Sequence, residues 1–248
     1  MSKANVQRRV AVAAVALMAV GLAGCADEPG EGAAAVKGAS SQRREPSLLV
    51  LSQDQLEQAV VDARDLPGVW VEEIGAGSQG PGNGVIFAVP RTNTQPTACA
   101  AVSAAVDGAS SYAPVGSVQR TIGLKGRSAI LTLVSYRSAD APRVIDELRT
   151  ALRSCTGYQA GPTKATYEDV KAAGDLPQGE DGVALRLTLV MDPHDDALKV
   201  PVNVIVERHG SVVATYKAVS DDTHTPAIVP AALVDAQSKV LDVAAHSG

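Results

Sequence analysis

The clearest periodic stretch of the chain lies between Ala139 and Cys155. Val144, Ile145, Leu148, Leu152 and Cys155 recur at helical spacing, opposite Arg143, Glu147, Arg149 and Arg153. This predicts an amphipathic helix with its apolar stripe turned to a core. Ser138 stands where an N-cap is expected, and Gly157 where the helix must end. Two shorter helices are predicted upstream. One runs from an N-cap at Ser52 to about Ala63, with Leu56, Val60 and Ala63 on one face, and Asp65-Leu66-Pro67-Gly68 stops it. The other is the alanine-rich stretch Pro96–Ala109, carrying Cys99 in its first turn.

Between and after these lie runs with strand character: Val69–Ile74, Val85–Val89, Val115–Leu124, Ser128–Arg137, Thr163–Ala172, Val183–Asp192, Val200–Arg208 and Ser211–Val219. In Ser128–Arg137 one face carries Ile130, Thr132, Val134 and Tyr136, all β-branched or aromatic. His209-Gly210 has hairpin-turn chemistry, and Gly123-Leu124-Lys125-Gly126 also reads as a turn. Gly75–Gly84 is too glycine-rich for anything but a loop. Thr225-Pro226 or Val229-Pro230 opens a last helix through Val240 and Val243. Groups of neighbouring strands with helices between them indicate an α+β fold: an antiparallel β-sheet packed with helices, in a single domain over residues 47–248.

The first residues obey a different pattern. Lys3, Arg8 and Arg9 precede an apolar or glycine run from Val10 to Ala23, 14 residues long. A membrane-spanning helix needs about 20 apolar residues, so this run is too short to cross, and its layout is that of a cleaved export signal. It closes on Leu22-Ala23-Gly24-Cys25, which resembles the lipobox of bacterial lipoproteins. The resemblance implies a signal peptide over residues 1–24, cut before Cys25, with lipid on the Cys25 thiol. The chain would then sit on the extracytoplasmic face of the cell membrane, anchored by acyl chains at about 0.8 kcal/mol per buried methylene. Residues 25–46, rich in Gly, Ala, Ser and charge, read as a flexible tether of about 25 Å root-mean-square reach.

Charge narrows the partners. The whole chain carries a net −5, and removing the three basic residues of the signal takes it to −8. Such a surface is repelled by nucleic acid and by anionic headgroups, so no nucleic-acid partner is expected and the lipid must anchor the chain by itself. Export also changes the cysteine chemistry. With Cys25 lipidated, Cys99 and Cys155 remain in a compartment where disulfides persist. One pairing is then available, with free or metal-bound thiols as the alternative, although no His stands at zinc-like spacing.

Leu66-Pro67-Gly68-Val69-Trp70 after a first helix, Cys99 near the start of a second, and Cys155 ending a third, followed by strands and a last helix, together resemble the actinobacterial PknH-like extracellular sensor-domain family. The likeness covers roughly residues 47–246. It implies an α+β fold with a cleft, sensing of an extracellular ligand, no enzymatic role, and the Cys99–Cys155 bridge. This chain departs from that pattern in carrying neither a kinase domain nor a transmembrane run, and in having cysteines for one bridge where the kinase domain has two.

Candidate chemistry is sparse. G-x-S-x-G, S-x-x-K and H-E-x-x-H motifs are all missing from the sequence, and the glycine-rich stretches lack a G-K-[ST] ending. Asp192-Pro193-His194-Asp195-Asp196 and Asp221-Asp222-Thr223-His224 read as polar turns, and His246 as a terminal residue, so no metal, cofactor or catalytic residue is predicted. Trp70, on a strand beside the glycine-rich loop, is the candidate for a cleft-lining residue, or else a cap on a core poor in large side chains. The function expected is a ligand-binding or sensor-type module, with a small ligand or an envelope protein as partner. A cell-envelope hydrolase with an unrecognised carboxylate site and a structural partner of an envelope complex are the alternatives. The anchor has a direct test: Cys25→Ser is expected to leave an uncut or released protein, and a membrane-bound variant of mature mass would refute lipidation.

Overall fold

The computed structural model describes residues 50–73, 93–161, 165–174, 181–191, 197–220 and 224–246. Cys25, the tether, the Gly75–Gly84 loop, the Val85–Val89 strand, Asp192–Asp196 and Asp221–Thr223 lie outside the described residues. All described residues belong to one compact unit, Arg44–Gly248.

Among the described residues, eight strands form a wholly antiparallel sheet. In chain order they are β1 (Val69–Glu73), β2 (Gly116–Leu124), β3 (Arg127–Ser135), β4 (Tyr158–Ala160), β5 (Ala165–Ala172), β6 (Gly182–Met191), β7 (Leu198–His209) and β8 (Val212–Val219). Their spatial order is β1-β2-β3-β8-β7-β6-β5-β4, so two meanders meet at the β3–β8 pair. The predicted turns close the hairpins. Leu124 pairs with Arg127 across Lys125 and Gly126, both at positive φ as a type I′ loop requires. His209 pairs with Val212, so the β7–β8 loop is Gly210-Ser211, shifted one residue from the predicted His209-Gly210. Only glycine of that pair has positive φ, which puts Gly210 rather than His209 at the first loop position.

Four α-helices among the described residues pack on the sheet: α1 (Gln53–Gln58), α2 (Ala100–Val106), α3 (Ala141–Leu152) and α4 (Ala231–His246). Helices α2 and α3 pack on one face, where Val102, Val106, Ile145 and Leu148 meet Leu185, Leu187, Val204 and Val206. Helices α1 and α4 pack on the other, where Leu56, Leu233 and Leu241 meet Ile122, Leu131, Ile205 and Tyr216. The central strands are therefore apolar on both sides, and burial of each such large side chain contributes about 1.5–3 kcal/mol.

Helix ends differ from the periodicity for identifiable reasons. Ser52 caps α1 with a reciprocal capping box, its Oγ accepting from the Gln55 N–H while Gln55 Oε1 accepts from the Ser52 N–H. The helix stops at Gln58 rather than Ala63 because the Val61 N–H donates to Gln237 Oε1 on α4, at 2.8 Å, instead of to a helical carbonyl. Gln237 Nε2 donates in turn to the Ala59 carbonyl, so one buried amide ties α1 to α4. The predicted Pro96–Ala109 helix resolves into a 3-10 turn, Thr97–Cys99, followed by α2. Gly108, at φ 67°, ends it in a Schellman arrangement, with the Ala109 N–H bonded to the Ala104 carbonyl. For α3 the N-cap is Asp140, not Ser138, and Pro142 sits in the first turn, where its missing N–H costs nothing.

Cys99 and Cys155 form the expected disulfide, with Cα atoms 5.1 Å apart. Closing a loop of 56 residues stabilises the fold by about 4 kcal/mol in the chain-entropy model. Beside it Tyr158 and Tyr167 stack with ring centroids 4.7 Å apart.

Helix α4 is also held by charge. His209 Nδ1 lies 2.8 Å from Asp242 Oδ1 of α4, and its Nε2 lies 3.6 Å from Glu207 Oε2 of β7. Glu207 is 2% exposed and accepts from Ser238 Oγ of α4 at 3.0 Å. Burial opposes the charge on His209, but the two carboxylates outweigh it and raise its pKa above the usual value. A raised folded-state pKa contributes stability in full below the unfolded value, near 6.5, and loses it as pH rises through the folded value. Denaturant unfolding should therefore show the wild type losing stability relative to His209→Gln as pH rises from below the usual histidine value, about 6.5, into the alkaline range. A difference that stays flat with pH would show that the imidazolium does not hold α4.

Candidate functional site

Strands β1, β2 and β3 present two unlike faces. Toward α1 and α4 they carry Val69, Val118, Ile122, Ala129, Leu131 and Leu133, all buried. Toward the α2/α3 side the register aligns rows of a different kind. Trp70 pairs with Gly123, and Gly123 with Ser128. The next row runs Glu72, Thr121, Ile130, Lys217, and the next Gln119, Thr132, Thr215. Helices α2 and α3 rest on β5 to β8, so no helix among the described residues covers this polar half-face.

Trp70 lies flat upon it. A Cβ added to Gly123 would fall 2.2 Å from Trp70 Cε2 and 2.4 Å from Cζ2 and Nε1. The indole therefore rests directly on the glycine backbone, and only glycine leaves room for it. One ring face is covered by the strand, yet the residue remains 44% exposed, so the other ring face points outward. Glu72 and Ser128 flank it in the open, and Thr121 is half-buried. Trp70 is thus not a core cap. It is an aromatic plate on the outer pair of strands.

At the inner margin of this half-face the C-terminal end of α2 descends onto β3. A Cβ at Gly108 would come within 2.6 Å of the Thr132 side chain, so the helix end is seated on that threonine. Both carboxylate oxygens of Asp107 are buried here. Lys217, 6% exposed, rises from β8 beneath them. Burial pushes its pKa down to about 8, against the opposing pull of Asp107. Gln119 Nε2 donates to Thr132 Oγ1 at 3.1 Å beside this pair. A buried lysine facing a carboxylate at the negative end of a short helix fixes α2 against the sheet.

A second depression runs between α2 and α3. It encloses about 790 Å³ and is lined by Ala101, Ala104, Ala105, Leu148 and Ala151. Glu147 at its rim already accepts from Tyr112 Oη at 2.6 Å and Ser111 Oγ at 2.9 Å. The groove offers small apolar side chains and a carboxylate already engaged.

Of the residues singled out from sequence, Cys99 and Cys155 are bonded to each other away from the polar half-face, and Trp70 stands upon it. His224 is exposed, and the acidic residues near it and around His194 lie outside the described residues. Among the described residues no group of three His, Cys, Asp or Glu is placed to hold a metal ion, and no helix is long and apolar enough to cross a membrane. Sequence reasoning missed Lys217, Asp107 and the Glu207–His209–Asp242 cluster. One signal for Lys217 was there to read: Val212–Val219 is otherwise apolar or aromatic, apart from Thr215 on the same face as this inward lysine.

The arrangement defines an antiparallel sheet with helices on both sides and one half-face left to a tryptophan plate. No model of a known protein family matches the chain, and no curated protein is similar to it.

The depressed pKa of Lys217 has a measurable consequence. The unfolded lysine holds its proton up to about pH 10.5 and the folded one to about pH 8, so folding is opposed below that window and relieved above it. Wild-type stability should rise relative to Lys217→Met, by on the order of 3 kcal/mol, as pH increases from 8 to 10.5. Parallel pH profiles for the two proteins would place Lys217 in a solvated site instead.

Proposed function

We propose that this chain is a binding or sensor-type module held on the extracytoplasmic face of the cell membrane by lipid on Cys25, with a ligand seated on the polar half-face. The observation that carries the reading is Trp70, an indole lying flat on Gly123 with its outer face exposed beside Glu72, Thr121 and Ser128. A large apolar surface ringed by a few hydrogen-bonding groups is the composition of a small-molecule site. The lipobox resemblance and the likeness of element order and cysteine placement to PknH-like sensor domains support the same reading from sequence. The shallow, alanine-lined groove between α2 and α3 favours a second reading, an envelope protein as partner.

Native mass spectrometry of protein extracted from its own membranes separates the two. A bound small molecule lost in Trp70→Ala is expected. Recovery of bare protein from both wild type and variant would sink the small-ligand reading and leave the partner protein.

A further inference from the structure

We infer that the ligand of the Trp70 plate is a neutral saccharide, stacked by one pyranose face on the indole and bonded at its edge by Glu72, Thr121 and Ser128. This rests on the binding reading above and names its ligand class.

Three features select that chemistry. The first is the shape of the site. Trp70 offers one broad ring face, its other side being occupied by Gly123, as the 2.2 Å approach to Cε2 requires. A flat, single-sided plate suits a flat ligand. The π-face of indole is electron-rich, so it attracts the weakly positive C–H groups that a pyranose presents along one face. A quaternary ammonium gains most when aromatic walls surround it, and here the described neighbours of the plate are hydroxyls and a carboxylate.

The second feature is the edge chemistry. Thr121 is the diagonal neighbour of Trp70 across β1 and β2, and Ser128 lies beyond Gly123 in the same row. Each hydroxyl both donates and accepts. Glu72, two residues along β1 on the same face and exposed, accepts two or more hydrogen bonds. Sugar hydroxyls match this mixture, whereas an aliphatic ligand would leave it unpaired.

The third is charge. The exposed ionised group on this face next to the plate is the Glu72 carboxylate, and Lys217 is buried with Asp107 at the far margin. Anionic ligands such as uronates, phosphates and fatty acids would meet like charge at Glu72 and, among the described residues, find no accessible cation on this face beside Trp70. A neutral glycan is free of that repulsion.

Trp70 is the sole tryptophan of the chain, so its emission reports this site alone. The purified protein is titrated with neutral oligomers of glucose, of mannose and of N-acetylglucosamine, with oligogalacturonate as the anionic comparator. At least one neutral oligomer should change the emission saturably, and oligogalacturonate should bind about tenfold or more weakly. Calorimetry should show binding lost in Trp70→Ala and weakened about tenfold or more in Gly123→Ala, whose new methyl lifts the indole from the strand. Far-ultraviolet circular dichroism checks that both variants are folded, and Trp70→Phe, which keeps a stacking ring on the intact glycine, should retain part of the affinity.

The saccharide assignment is overturned if no neutral oligomer perturbs the emission at millimolar concentration, or if Trp70→Ala binds as tightly as wild type. Should saccharides fail while native mass spectrometry still finds a ligand that Trp70→Ala loses, the glycan falls and the binding module stands. If both measurements are blank, both fall together.

Discussion

The pairing of β3 with β8 governs this molecule, because it joins two antiparallel meanders into one sheet whose centre is buried on both sides. Such a sheet must bury two faces. Leu131, Leu133, Ala214 and Tyr216 point to one side, and Val134 and Val213 to the other. Helices are therefore needed above and below, and the described residues supply two for each. On the α1/α4 side the apolar rows extend from β1 across to β7. On the α2/α3 side they stop at β3, and serine, threonine and glutamine take over in β2. The polar half-face, on which no described helix rests, follows from that change of composition along a single sheet surface.

Where polar groups are buried they do joining work. Gln237 satisfies both a donor and an acceptor of the chain leaving α1. Asn203 of β7 donates to the Ala227 carbonyl and so holds the segment leading into α4. Glu207, His209 and Asp242 secure α4 near its far end, while Asp107 and Lys217 seat the end of α2. Each contact links elements distant in sequence. Each also carries a desolvation cost that is offset only when the partner is in register, so these contacts favour one packing of the helices over its neighbours. The two outer edges of the sheet are protected differently. Strand β1 is short and carries Glu72 and Glu73, and β4 is bridged on its outer side by Gln95 pairing with Gln159.

Much of this architecture was legible residue by residue. Ser52 was read as a cap and is one. The strand bounds of β2, β3, β6, β7 and β8 fall within two residues of the predicted runs, because alternation and turn residues such as Gly210 act over a few neighbouring positions. The misplaced end of α1 has a non-local cause. At Val61 a side chain 176 residues away takes over the backbone N–H, and no local pattern encodes that partner. Trp70 could be flagged from its isolation in a chain short of aromatics, but not oriented. Whether it faced the core or solvent depended on Gly123 lying opposite, a matter of strand pairing.

The sequence by itself indicated the α+β class, the order of the helices and of the described strands other than β4, and the two cysteines available to bridge, since these follow from periodicity, turn chemistry and a count of thiols. The proposed lipid anchor rests on the sequence alone, on the charge, the apolar length and the lipobox resemblance of residues 1–25. Only the tertiary structure decided which half of which face stays polar, which lysine is buried against which carboxylate, and that the lone indole lies upon a glycine. Those outcomes depend on register between strands such as β1 and β2, whose paired residues Trp70 and Gly123 are far apart in sequence, where a shift of one position would turn every side chain to the opposite face.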